Sequence, residues 1–134
     1  ERHTSVQYGS MIEDLDRSIG YLLDAVKRLE ITDNTYIIFT ADNGTYPTED
    51  PGNINGPLRG SKATLWEAGV RVPMMMSGPG IQPGSVSRVP AIGWDILPPI
   101  CEIMGIEELD ERGEGGSLLP VLLSERNATV QRQR

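Results

Sequence analysis

The stretch Asp33–Gly44, DNTYIIFTADNG, decides the fold class. Thr35 to Thr40 is rich in β-branched and aromatic residues and reads as a strand. Tyr36, Ile37, Ile38 and Phe39 are apolar at consecutive positions. That pattern suits a strand buried on both faces, as in a parallel sheet covered by helices. Asp33-Asn34 makes the turn before it. The strand then runs, unusually, straight into Asp42-Asn43-Gly44 and a long polar loop.

Upstream, residues 8–30 predict an amphipathic helix. Tyr8, Ile12, Leu15, Ile19, Leu22, Leu23, Val26 and Leu29 recur at spacings of three and four. Charged residues fill the other face, and Lys27-Arg28 suit the helix C-terminus. Gly20 costs about 1 kcal/mol against Ala in a helix interior and suggests close packing there. Helix, short turn and buried strand make an α/β unit.

Downstream, residues 43–61 read as loop, with Gly44, Pro47, Pro51, Gly52, Gly56, Pro57 and Gly60. So long a loop within a compact domain is commonly a functional one. KATLWEAG predicts a short helical turn ended by Gly69. VRVPMMMSG predicts a second buried strand, at an edge because Pro73 lacks a ladder donor. Trp94 to Met104 predict a helix interrupted early by Pro98-Pro99 and stopped by Gly105. The acidic stretch 107–116 reads as loop, and 124–134 as a frayed polar tail.

Nineteen acidic residues against twelve basic ones give a formal net charge of −7. Sequence-independent nucleic-acid binding rests on Lys and Arg neutralising phosphates, so no nucleic-acid partner is expected. No apolar run approaches the roughly 20 residues of a membrane span, and no membrane partner is expected. The single cysteine, Cys101, cannot form an internal disulfide and lies on an apolar helix pattern, as a buried structural thiol does. Met74-Met75-Met76 point to alternate strand faces and read as core, not as a soft-metal site. Trp66 and Trp94 read as packing residues.

Asp42-Asn43 has two readings. Asn-Gly is a strong hairpin signal, but Thr45–Pro51 cannot supply the returning strand. In open α/β sheets, ligands sit beyond the carboxyl ends of strands, where Asp42 and Asn43 fall. A carboxylate beside an amide carbonyl offers two hard oxygens suited to Ca²⁺ or Mg²⁺, too few for a whole site. Turn chemistry stays open at this point. Lys62 taken alone reads as a solvated surface lysine; against that, it closes the Gly-rich loop and opens the predicted helical turn, where backbone N–H groups favour an anion. Gly56-x-x-x-Gly60-x-Lys62 is not a nucleotide-hydrolase phosphate loop, which places Gly directly before the Lys.

Taken together, Y-x-x-M-I-x-x-L-D-x-x-I-G-x-L-L from Tyr8, DNTYIIFTADNG, GPLRGSKATLWEAGVRVPMMMSGPG, WDILPPICEIMGI and GGSLLPVLL resemble the sulfatase family, in the C-terminal part of its catalytic domain. The likeness runs from about Tyr8 to Leu123, with 124–134 as the tail. It implies an α/β fold of the alkaline-phosphatase-like type, with a helix-flanked, mainly parallel sheet. It implies that Asp42 and Asn43 are two of four protein ligands of a Ca²⁺, Mg²⁺ being the lesser candidate. It implies that Lys62 contacts the sulfate group as a catalytic and substrate-binding residue. Arg59 and Arg71 fall in well-marked positions and read as structural, ordering the loop and the turn before the second strand. Family members often carry Gly where this chain has Thr45.

The resemblance also implies a formylglycine nucleophile made in a Cys/Ser-x-Pro/Ala-x-Arg motif, which this chain lacks. His3 does not match the family's active-site histidines. The expectation is a fragment of a sulfuric ester hydrolase acting on a sulfated small molecule or glycan, inactive alone. It would be completed by the N-terminal half of the domain or would self-associate. The compartment is not legible; the resemblance suggests periplasmic, extracellular or lysosomal. Two other readings are a phosphodiester or phosphonate hydrolase of the same superfamily, and a non-catalytic Ca²⁺- or anion-binding module.

Overall fold

The computed structural model describes residues 6–46, 55–106, 114–123 and 128–132. His3, residues 47–54, the acidic stretch 107–113 and Asn127, which opens an Asn-x-Thr triplet of the glycosylation-acceptor type, lie outside the described residues. The chain divides into two compact units, 1–79 and 80–134.

The first unit opens with helix α1, Val6–Arg28. The apolar spacing makes the helix, and Lys27 and Arg28 close its last turn against the dipole. No acidic residue stands in its first turn. Among the described residues most of its apolar stripe is exposed, while Tyr8, Ile19 and Val26 are half-buried. Gly9 is its one buried residue among those described, and Leu22 is 68% exposed. A Cβ on Gly20 would meet nothing within 4 Å, so this glycine serves no close packing among the described residues. Glu30, at φ 57, turns the chain out of the helix. A 3₁₀ turn at Thr32–Asn34 comes next, where Thr35 Oγ1 donates to Ile31 O at 2.7 Å.

Strand β1 is Ile37–Thr40 and pairs with β2, Met74–Ser77. It starts two residues later than expected, because Thr35 is bonded back to the turn and the Tyr36 hydroxyl donates to Pro79 O at 2.8 Å. The pair is antiparallel, with Ile37 opposite Ser77 and Thr40 opposite Met74. The described strands therefore form a two-stranded antiparallel sheet, where a mainly parallel one was expected. A consecutive apolar run reports burial and carries no information about the direction of its neighbour. Met74 and Met76 are half-buried while Met75 is exposed, so the methionines alternate as expected but only one face packs. Pro73 precedes the ladder, where its missing N–H costs nothing.

Helix α2 is one turn, Glu67–Val70. It begins later than KATLWEAG suggests, and Gly69 lies inside it instead of ending it. Residues 62–66 are turns.

In the second unit a 3₁₀ turn, Gly93–Ile96, runs into α3, Leu97–Ile103. Pro98 and Pro99 stand at its start, where no donor is needed, so they open the helix instead of interrupting it. Gly105 ends it at φ 70, with Ile106 N donating to Cys101 O at 2.9 Å. Cys101 is buried, as expected; Trp94 is 63% exposed and is not a packing residue among the described ones. Helix α4 is Leu119–Leu122. No helix among the described residues is long and apolar enough to cross a membrane.

Asp95, 0% exposed, organises this unit. Its carboxylate accepts from Ile92 N at 2.8 Å, Gly116 N at 3.0 Å and Arg132 Nε at 2.9 Å. Arg132 also donates to Pro90 O at 3.1 Å. The tail is thus anchored at Arg132, where fraying was expected. Burial alone would raise the Asp95 carboxyl; the Arg132 side chain and the two backbone N–H groups outweigh it and hold it below the ordinary range.

A depressed carboxyl contributes stability above its unfolded pKa of about 3.9 and loses it as pH falls through the lower folded value. Asp95→Ala should lower stability by about 1–3 kcal/mol at neutral pH, because it leaves the Ile92 and Gly116 N–H groups without their acceptor. Urea midpoints below about pH 4 should fall with acidification in the parent and less steeply in Asp95→Asn. Equal slopes would show that Asp95 is not the linked group.

Candidate active site

Antiparallel pairing has a direct consequence for the loop 41–73. The chain leaves β1 at the same end of the sheet where it enters β2. Thr40 Oγ1 donates to Pro73 O there, at 3.1 Å. Asp42 and Asn43 sit at the exit, one and two residues beyond Ala41.

The loop is pinned across itself by backbone. Gly44 N donates to Gly69 O at 3.1 Å, Lys62 N to Thr45 O at 2.8 Å, and Ala68 N to Arg59 O at 2.9 Å. The first contact is so close that a Cβ on Gly44 would stand 1.6 Å from Ala68 O. Gly69 is equally constrained, with Thr64 O 2.1 Å from its Cβ position. The backbone thereby sets Lys62 beside Thr45, two residues from Asn43, although they are far apart in sequence.

A second layer of bonds shapes the Lys62 turn. Thr64 Oγ1 donates to Ser61 O at 2.7 Å, and Ser61 N donates to Thr64 Oγ1 at 3.2 Å. Inside this turn Ala63 takes φ 68, a left-handed conformation that costs a non-glycine residue about 1–2 kcal/mol. Thr45 Oγ1 donates to Asn55 Oδ1, and Asn55 Nδ2 donates to Gly60 O at 3.1 Å. Thr45 keeps an ordinary φ and uses its hydroxyl to hold the loop.

Asp42 and Lys62 are exposed and Asn43 is half-buried. Asn43 Nδ2 donates to Gly44 O at 2.9 Å, so the amide nitrogen is used locally, and among the described residues the oxygen is the atom left to offer. Lys62 stands in turns and not at a helix start, so no helix terminus supports an anion beside it; α2 begins only at Glu67. Arg59 stacks on Trp66, its guanidinium carbon 3.7 Å from the ring centroid. Trp66 is 51% exposed, so its role is this stack and not core packing. Arg71 pairs with Glu67 at 3.3 Å in the turn before β2, both side chains largely exposed. Such a pair holds geometry and adds little stability.

Among the described residues no group of three His, Cys, Asp or Glu gathers as a metal cluster. The structure brings the three sequence-derived site residues to one end of the sheet through backbone contacts. It adds Gly44, Gly69, Thr64, Thr45 and Asn55 as the residues that hold them. Glycine at 44 and 69 is visible in the sequence, but what meets its missing side chain is not.

A model of the Sulfatase family matches residues 4–106. Rat steryl-sulfatase is 34% identical over 87% of this chain and 22% of its own length. Human N-acetylgalactosamine-6-sulfatase is 34% identical over 90% of the chain and 24% of its length. Human N-acetylglucosamine-6-sulfatase is 39% identical over 78% and 18%. The chain thus spans about a quarter or less of these curated relatives.

The loop geometry has a measurable signature. Gly44→Ala should cost about 1–3 kcal/mol, since Ala68 cannot accommodate a methyl without moving backbone. Ala63→Gly should be neutral or up to about 1 kcal/mol stabilising, as relief of the left-handed strain offsets glycine's extra unfolded entropy. Thermal denaturation of both variants checks this; a clear loss in Ala63→Gly would remove strain from the account of the Lys62 turn.

Proposed function

This chain belongs to the sulfatase family, and we propose that it supplies one side of the active site of a sulfuric ester hydrolase. The family is one whose named relatives are sulfatases, which makes sulfate-ester hydrolysis the activity of the complete protein on this reading. The observation that carries it is the loop closure that sets Lys62 N on Thr45 O, beside Asp42-Asn43.

The donors fit a hard cation such as Ca²⁺ in kind, being a carboxylate and an amide oxygen. In number they fall short of the six to eight oxygens it takes, so Asp42 and Asn43 are two contributors and the rest come from elsewhere in the protein. Asp42 and Asn43 would help to hold that cation, which would supply Lewis-acid polarisation of the sulfate group. Lys62 binds the sulfate and compensates charge as the ester oxygen departs. Thr64 and Ala63 hold the turn that aims it. A formylglycine nucleophile would lie outside these 134 residues, since no Cys/Ser-x-Pro/Ala-x-Arg motif occurs in them. The substrate class is a sulfated small molecule or glycan.

On the same reading the remainder of the catalytic domain covers the apolar stripe of α1 and extends the sheet in the mainly parallel manner of the alkaline-phosphatase-like fold. The exposed Leu15, Leu22 and Leu23 support this, as does the small share of each relative that the chain spans. Without that cover the isolated chain should self-associate, which light scattering across a concentration series reads directly; a strict monomer at every concentration would count against it.

In the full-length protein, Lys62→Ala and Asp42→Ala should each lower kcat for an aryl sulfate by about 10²–10³-fold. Arg71→Ala should leave kcat within a few-fold. The 134-residue chain alone should turn over no aryl sulfate above its own Lys62→Ala control. Full activity in the full-length Lys62→Ala variant would overturn the reading.

A further inference from the structure

Asn43 is followed by glycine, and this pair is chemically exposed in a way the fold must answer. In an Asn-Gly dipeptide the glycine nitrogen can attack the asparagine Cγ with the least steric hindrance, because glycine has no Cβ. The new N–Cγ bond expels ammonia and leaves a five-membered succinimide. Water then opens either carbonyl, giving Asp or an isoaspartyl linkage. The net change is one water consumed and one ammonia released, with no redox partner.

Packing disfavours any side chain at 44. A Cβ there would lie 1.6 Å from Ala68 O and 2.7 Å from Ala68 C. The close approach that closes the loop therefore imposes the reactive dipeptide. The same approach engages its nucleophile: Gly44 N donates to Gly69 O at 3.1 Å, and Gly44 is buried. One residue on, Thr45 O accepts from Lys62 N at 2.8 Å, which ties the chain just after Gly44 to the Lys62 turn. The Asn43 amide is held in turn by its own bond to Gly44 O at 2.9 Å.

We propose that Asn43-Gly44 is a latent deamidation site, kept inert by the Gly44–Gly69 clasp and released when that clasp opens. Opening exposes the Gly44 nitrogen and frees the peptide to reach Cγ. The product replaces the neutral amide by a carboxylate next to Asp42, or displaces it by one backbone atom as isoaspartate. The chemistry is a property of the chain itself and holds whether or not Asn43 serves a metal.

The test is peptide mapping by mass spectrometry of the 134-residue chain after incubation at mildly alkaline pH, folded and unfolded in guanidinium. Asn55-Gly56 is a second Asn-Gly pair, so fragmentation must assign the mass increase to position 43. Asn43 should deamidate at least about tenfold more slowly in the folded chain. Gly69→Ala and the milder Thr64→Val probe the clasp, with circular dichroism reporting whether each folds. Hydrogen exchange at the Gly44 amide is measured in parallel, and the two rates should rise and fall together in every folded variant. Deamidation at Asn43 in the folded chain at close to the unfolded rate would overturn the proposal. So would protection that persists in a variant whose Gly44 amide exchanges freely.

Discussion

The first unit depends on one contact, the approach of Gly44 to the Ala68–Gly69 backbone. Closing a loop as long as 41–73 has an entropic cost that a two-stranded ladder alone offsets poorly. The antiparallel pairing of β1 with β2 brings the loop's ends to one end of the sheet. The glycine contact then ties exit to return, and Lys62 N on Thr45 O folds the middle of the loop onto its start. Any side chain at 44 would hold the two segments apart, and the Lys62 turn would lose its place beside Asn43.

Much of this is legible in sequence, for physical reasons specific to each element. The three- and four-residue spacing from Tyr8 to Leu29 can form only a helix, and α1 occupies nearly the expected span. The β-branched run places β1, and Gly105 with its positive φ stops α3 where expected. Strand direction is not legible, because Tyr36–Phe39 would look the same beside either kind of neighbour. The start of α2 is hidden because the Ser61–Thr64 turn competes for the backbone ahead of it. Prolines 98 and 99 suggest an interruption within a helix, yet at a helix start they cost no hydrogen bond. For the candidate site, residue types alone leave Asp42-Asn43 open between turn and metal ligand, and it is the family resemblance that proposes them together with Lys62; the residues that hold them become visible only with the backbone contacts.

The two units differ in what holds them. In the second, a buried carboxylate gathers three segments: Asp95 binds N–H groups at 92 and 116 and the Arg132 side chain, which also reaches Pro90. Nothing in the spacing of Asp95 and Arg132 signals this pair, since a buried charge is recognised by its partners and not by its neighbours in sequence. An ion pair of this kind specifies arrangement more than it adds net stability. It explains why a tail of polar composition is anchored at Arg132 instead of fraying throughout.

The exposure of Asp42 and Lys62 bears on what half of a site can do. Charges in contact with water interact through a high effective dielectric, and two unit charges 4 Å apart then gain only about 1 kcal/mol. Electrostatic stabilisation of a departing ester oxygen needs the same groups in a drier setting, where each is worth several times more. On the proposed reading, the rest of the domain therefore contributes more than a nucleophile and further metal ligands. It must also remove water from Lys62 and Asp42. The loop supplies the positions of these charges through backbone contacts that need no partner, and burial supplies their strength. On that reading, a chain that carries the first without the second holds the positions of the proposed site and lacks its chemistry.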